Sequence, residues 1–183
     1  MQAFFVYVYC LPLWHIAALV LIFGFCWRWL VQAKGPYASK RAALFAKAAF
    51  AGCFVIWCAA ILWQTVWSRT PGEPRAQWEP FFQLKTYFSG GDRELLRTLW
   101  MNVLLFLPGG FLLAALLPRR WRPFWLGLAF FALCSFSAVI EWQQYCGGLG
   151  LAETDDVLCN SLGAFLGIGM EEAGKLPAYK RSV

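Results

Sequence analysis

Residues 139–167 read VIEWQQYCGGLGLAETDDVLCNSLGAFLG. An apolar, helix-like run meets Glu141 and a group of polar residues and then turns through glycines. It carries three acids in four residues (Glu153, Asp155, Asp156) before becoming apolar again. Two apolar segments joined by a short turn describe a helical hairpin. A charge on such a segment costs about 2.5–3.5 kcal/mol at the centre of a membrane and less near its surface. Acids placed there call for a reason.

The whole chain shares the apolar character of this hairpin. Of its 183 residues 60% are hydrophobic and only 14% charged, whereas a soluble domain carries about 25% charge and 45–50% apolar residues. The excess sits in long blocks, so the expected class is an all-α polytopic membrane protein with about five transmembrane helices and one long outer interfacial loop. The seven cysteines form no CxxC pair and lie mostly inside apolar blocks, where a free thiol acts as a small hydrophobe rather than a zinc ligand or a disulfide half. His15 stands alone and reads as packing.

The first span is expected over 3–31, with Pro12 kinking it or marking its start, and no Lys or Arg precedes Arg28. A secretory signal needs a basic start and a shorter apolar core, so this helix is expected to be retained. A basic turn (34–41) leads to a second span over 42–67, whose Lys47 can reach the nearby interface. Residues 68–95 form the long loop: three prolines and the pair Gly90–Gly91 exclude a regular span, while WEPFFQLKTYF suits the membrane surface. Spans three, four and five are expected over 96–117, 124–145 and 156–170.

Charge sets the orientation. Eleven of the sixteen basic residues fall in or beside the 34–41 turn, the 118–123 turn and the tail, and the other five (Arg69, Arg75, Lys85, Arg93, Arg97) in and next to the long loop. The positive-inside rule then gives an N-terminus outside and a C-terminus in the cytoplasm. Eight of the ten acids, Glu141, Glu153, Asp155 and Asp156 among them, fall at the outer side.

Helical spacing groups the polar residues. Glu141 and Gln144 are three apart and share a face. Asp156, Asn160, Gly163 and Gly167 form one stripe, and Gly163-x-x-x-Gly167 lets another helix backbone approach closely. With Asn102 from the third span, these residues can converge on one polar cavity. Each has a plainer reading. Glu141 can pair with Arg93 or Arg97, Asn102 and Asn160 can be interhelical hydrogen bonds, and Asp155 and Asp156 can sit in a helix's first turn with Thr154 as N-cap.

Three motifs in order, MNVLLFLPGGFLLAALLP (101–118), VIEWQQ (139–144) and ETDDVLCNSLGAFLG (153–167), resemble the VanZ-like family, with its N-x-L-x-F-x-P-x-G-F, E-x-x-Q and D-x-D-D-x-x-x-N-x-x-G segments. The likeness covers about 64–170. It divides the chain into two N-terminal helices (1–67), a VanZ-like core (68–173) and a short basic tail (174–183). It carries a role to Asn102, Glu141, Gln144, Asp155, Asp156 and Asn160, with Pro108, Gly110, Gly163 and Gly167 as structural positions. Glu153 stands where the family often has Asp. The family's arginine just before the acids is missing from GGLGLA, so Arg93 or Arg97 is the expected substitute. The resemblance implies a bacterial cell-envelope protein of the cytoplasmic membrane, and the family's namesake is linked to teicoplanin resistance.

Two kinds of function fit these residues. A non-enzymatic protein would bind a membrane lipid or a lipid-linked glycan by its headgroup at the outer leaflet, with no cofactor and no nucleic acid. An enzyme acting on a lipid-linked phosphate or sugar would hold a divalent cation through Glu141, Asp155 and Asp156, yet no nucleophile–base pair or phosphate loop is visible. A transporter would show repeats or broken helices, and neither is seen.

Overall fold

The computed structural model describes residue 24 and residues 40–174. The expected first span, His15 and most of the tail lie outside the described residues. Helix α1 (Lys40–Leu62) ends in a π-helical turn, Trp63–Trp67. A short strand β1 (Arg75–Gln77) and a short helix α2 (Phe82–Phe88) follow. Then come α3 (Arg93–Leu116), α4 (Arg122–Gly147), strand β2 (Leu151–Glu153) and α5 (Thr154–Ala173). Three stretches are long and apolar enough to cross a membrane: Lys47–Trp67, Arg93–Leu116 and Arg122–Gly147. Helix α5 carries acids at both ends, Asp155 and Asp156 at one and Glu171 and Glu172 at the other.

The long loop differs from the expectation. It contains β1, which pairs in parallel with β2 in the register Arg75–Leu151, Ala76–Ala152, Gln77–Glu153, and it contains the seven-residue α2. Three-residue strands are too short to show alternation in a sequence, and their pairing joins residues more than seventy positions apart. One further contact pins the loop down. Gly148 closes α4 in the left-handed conformation (φ +60°), and its carbonyl accepts the Gly72 amide at 2.8 Å. A Cβ at Gly148 would stand 2.0 Å from the Gly72 oxygen, so glycine is required there for both φ and space. The amides of Gly148 and Leu149 bond back to Tyr145 and Gln144, which closes the helix as a Schellman turn.

Helices α3 and α5 touch backbone to backbone. Added Cβ atoms at Gly163 and Gly167 would lie 2.0 Å from the carbonyl oxygens of Val103 and Leu107, and one at Gly110 would lie 2.1 Å from that of Ala164. The small-residue stripe thus faces α3 along its middle. Trp57 of α1 seals the other side. Its indole lies over Gly109 and donates to the Leu105 carbonyl at 3.0 Å, beside Pro108, whose missing amide loosens the helical ladder there. Trp57, Ile61, Phe106, Leu112, Leu133, Ile140 and Ala164 make up the core. Large side chains such as Val55, Ile56, Trp100, Phe131 and Phe165 stay exposed, as expected where the surrounding solvent is lipid.

At the end of the bundle where α4 begins, Arg122 ties three helix ends together. Its guanidinium donates to the last carbonyls of α3 (Ala114 at 2.8 Å, Leu117 at 2.9 Å) and pairs with Glu171 at 3.1 Å and Glu172 at 2.5 Å on α5.

Candidate functional site

The other end of the bundle gathers the polar residues. Here the N-terminus of α5, the C-terminus of α4 and the loop meet beside the first half of α3. On the α3–α5 seam, Asn102 donates its amide to Asp156 at 2.6 Å. One turn deeper on α5, the buried Asn160 donates to Ser137 of α4 at 2.9 Å. Buried Glu141 accepts the backbone amide of Glu153 at 3.0 Å, which fixes the turn between α4 and α5. Gln144, three residues on, reaches the other way and donates to the Thr65 carbonyl in the π-helical turn at 3.2 Å.

Asp155 has an unexpected task. Its carboxylate accepts the amides of Phe81 and Gln83, the latter at 2.8 Å. These are the N-cap and second residues of α2, so Asp155 caps the neighbouring helix rather than its own. Phe81 is held in the left-handed region (φ 60°), a conformation that costs a bulky residue about 1–3 kcal/mol. The hydrogen bonds that these amides donate to the Asp155 carboxylate offset that cost. Thr154 is not a cap either: its hydroxyl donates to the Trp78 carbonyl at 3.1 Å, and Glu153 holds the N-cap position without its side chain capping α5.

Gln83 was hidden in the sequence among aromatic residues. It is 4% exposed and donates its side-chain nitrogen to Glu153 at 2.8 Å. Burial pushes the Glu153 carboxyl above the ordinary glutamate value. The Gln83 hydrogen bond opposes the rise and the charge of Asp155 adds to it. Glu141, Glu153 and Asp155 all lie within Coulombic reach of Asp156, and the basic side chain acting on both Glu141 and Asp156 is Arg69. Arg69 is exposed at the rim and donates to the Leu149 carbonyl at 3.1 Å. Arg97, expected beside these acids, pairs with Glu94 on its own helix at 2.9 Å.

The six expected residues therefore form two groups. Glu141, Asp155 and Asp156 share one electrostatic cluster, to which Asn102 is joined through Asp156. Gln144 and Asn160 turn away, to the Thr65 carbonyl and to Ser137. The three acids do not converge on one point. Among the described residues no group of three or more His, Cys, Asp or Glu side chains is placed to hold a metal ion. Beside the cluster, under α2, lies an apolar groove of about 290 Å³. Leu84, Leu96, Leu99, Trp100 and Leu162 line it, with Asp155 at its edge.

A family model described as VanZ/LLP1 matches residues 45–171. No curated protein and no solved structure matches the chain. The matched span takes in α1 from Phe45, the loop, α3, α4 and nearly all of α5, together with every residue of the acidic cluster. The chain belongs to the VanZ-like family.

Proposed function

We propose that this VanZ-like protein binds a lipid or lipid-linked glycan by its headgroup at the outer leaflet of a bacterial cytoplasmic membrane, without catalysing a reaction. The observation that carries this reading is the gathering of four carboxylates under a docked loop, with one rim arginine, next to an apolar groove. Packing alone has no use for such a cluster, because buried acids cost stability unless something pairs with them. A groove of about 290 Å³ is at the low end of ligand pockets, which run from about 300 to 1,000 Å³. It has room for one chain of an amphiphile whose polar end reaches the cluster.

The orientation belongs to the same proposal: N-terminus outside, C-terminus inside, the 146–155 turn facing outward. By holding such a lipid the protein changes what a lipoglycopeptide antibiotic meets at the membrane surface. No observation favours the enzymatic alternative.

The test is lipid mass spectrometry on the purified full-length protein beside Glu141→Gln and Asp156→Asn. The unaltered protein is expected to retain one headgroup class well above its share of the membrane, and both variants to lose that enrichment. Retained lipids that mirror the bulk membrane in all three proteins would refute headgroup binding. Orientation is checked with an impermeant thiol reagent on Gly150→Cys in a background lacking Cys146. Labelling in intact cells is expected, and protection there with labelling of Trp121→Cys would reverse the topology.

A further inference from the structure

Seven residues make too short a helix to persist alone, so α2 depends on what holds it down. The amides of Phe81 and Gln83 donate to Asp155, the Gln83 side chain to Glu153, and the Thr154 hydroxyl to the carbonyl of Trp78 ahead of the helix. All of these bonds join the beginning of α2 to the beginning of α5. The other end of α2 runs into Gly90, which has a φ of +96° and open space where a Cβ would stand. A segment fastened at one end, with an unpacked glycine joint at the other, has the build of a hinged element. Its closed position also carries two costs. Phe81 is held in the left-handed region, and the Gln83 side-chain oxygen is buried without a donor. Release of α2 relieves both. Its outward residues Phe82 and Phe88 are exposed, so the released helix remains suited to a membrane surface.

The groove under α2 is what this element covers. The α2 side contributes Phe81 and Leu84, α3 contributes Leu99 and Trp100, and α5 contributes Leu158 and Leu162. The Asp155 carboxylate at the edge is taken by two backbone amides, so the groove suits hydrocarbon rather than a headgroup. It continues onto the outside of the bundle. Trp100 and Leu162 are exposed, and one turn further the exposed Leu104 and Leu166 extend the same faces of α3 and α5. That apolar surface is continuous with the one the fold turns to lipid. What reaches the groove along it is a lipid chain.

We propose that α2 is a lid, fastened through Asp155 and hinged at Gly90, that closes over one acyl chain of a membrane lipid lying in this groove. The proposal deepens the headgroup reading and rests on it for the identity of the lipid. The chain and its lid stand or fall by a separate measurement.

The experiment holds the full-length protein, one copy to a nanodisc, in phosphatidylcholine or phosphatidylglycerol with a diazirine in the middle of one acyl chain. Photo-adducts are mapped by peptide mass spectrometry. With either lipid, adducts are expected on Leu84 and on Leu99, which is only 9% exposed, as well as on the open faces at Phe131 and Val139. Adducts on Phe131 and Val139 with none on Leu84 and Leu99 overturn the proposal; headgroup enrichment that persists in that case leaves the headgroup reading standing. Groove adducts without any headgroup enrichment support the chain and refute the headgroup. Adducts that vanish when two copies share a disc assign the groove to a second copy and overturn the proposal. A chase with unlabelled vesicles before the flash tests the lid, with the Phe131 adduct as reference. Groove adducts are expected to decay about tenfold or more faster in Asp155→Asn than in the unaltered protein. Thr154→Val, which keeps the acid and covers the case in which Asp155→Asn fails to fold, is expected to speed the decay about 2- to 10-fold. Equal decay in the unaltered protein and the folded variants describes a groove without a lid and overturns the proposal.

Discussion

The two ends of the α3–α5 pair solve the problem of buried charge in opposite ways. At one end Arg122 meets Glu171, Glu172 and two carbonyls that the end of α3 leaves free. Donors and acceptors are matched there, and the positive group sits among the negative ones. At the other end four carboxylates gather around backbone amides and two side-chain amides, and the nearest guanidinium acting on them is at the rim. The first end is a joint whose groups satisfy one another. The second has acceptors left over and a groove beside it. Charge burial alone therefore does not mark a site; burial with an imbalance of donors does.

The largest effect is expected from breaking the joint. Arg122→Met leaves Glu171 buried without its arginine and removes a cap from α3, so a loss of about 3–5 kcal/mol is expected, read as a fall in melting temperature in detergent. Gly163→Ala comes next. Its Cβ has no room against the Val103 carbonyl, so α3 and α5 must part, at a cost of about 1–3 kcal/mol or more. Either change weakens the fold without altering headgroup preference in the protein that still folds.

Asp155→Asn is expected to cost about 1.5–3 kcal/mol, since one charged acceptor of two amides is replaced by a single neutral oxygen. The loss should appear as faster hydrogen exchange over residues 75–88 rather than in the bundle. By spacing alone, Asp155 is turned about 100° from the α5 stripe and would be expected to tolerate this change. The contact with α2 reverses that expectation.

The smallest effect concerns pH. The folded state holds the Glu153 proton more tightly than the unfolded chain does, so this residue's share of stability is greatest in acid. It declines as pH rises from about the ordinary value of 4.5 through the raised folded value. The groups facing it are Gln83 and the carboxylates of Glu141, Asp155 and Asp156, none of them basic. Melting curves of the unaltered protein and Glu153→Gln should therefore diverge with rising pH, the variant becoming relatively more stable.

Much of the bundle was legible because long apolar runs and a glycine stripe are local signals. The 163–167 stripe and Pro108 point to close helix contact without a partner being known, and the partner of the stripe is α3. The docked loop was not legible. Strands β1 and β2 are three residues each, and α2 begins at a left-handed phenylalanine after a proline, a start that no propensity favours. Arg122 counted only as one basic residue in a charge tally, though its partners lie about fifty residues on. Gln83 and Arg69 had no motif, and both matter through groups at least seventy residues away.

The central claim is that the acidic end is kept for binding rather than for holding the fold together. Melting temperature and retained lipid, measured together for Glu141→Gln and Asp156→Asn against Arg122→Met, test it directly. A neutral amide in place of either acid removes the cost of a buried charge while Glu141 and Asp156 keep an oxygen for Glu153 N and Asn102. The account expects both variants to melt at or above the temperature of the unaltered protein, with headgroup enrichment reduced about tenfold or more. Melting depressed as far as in Arg122→Met, with lipid enrichment intact, would make the acidic end a second joint and contradict the account.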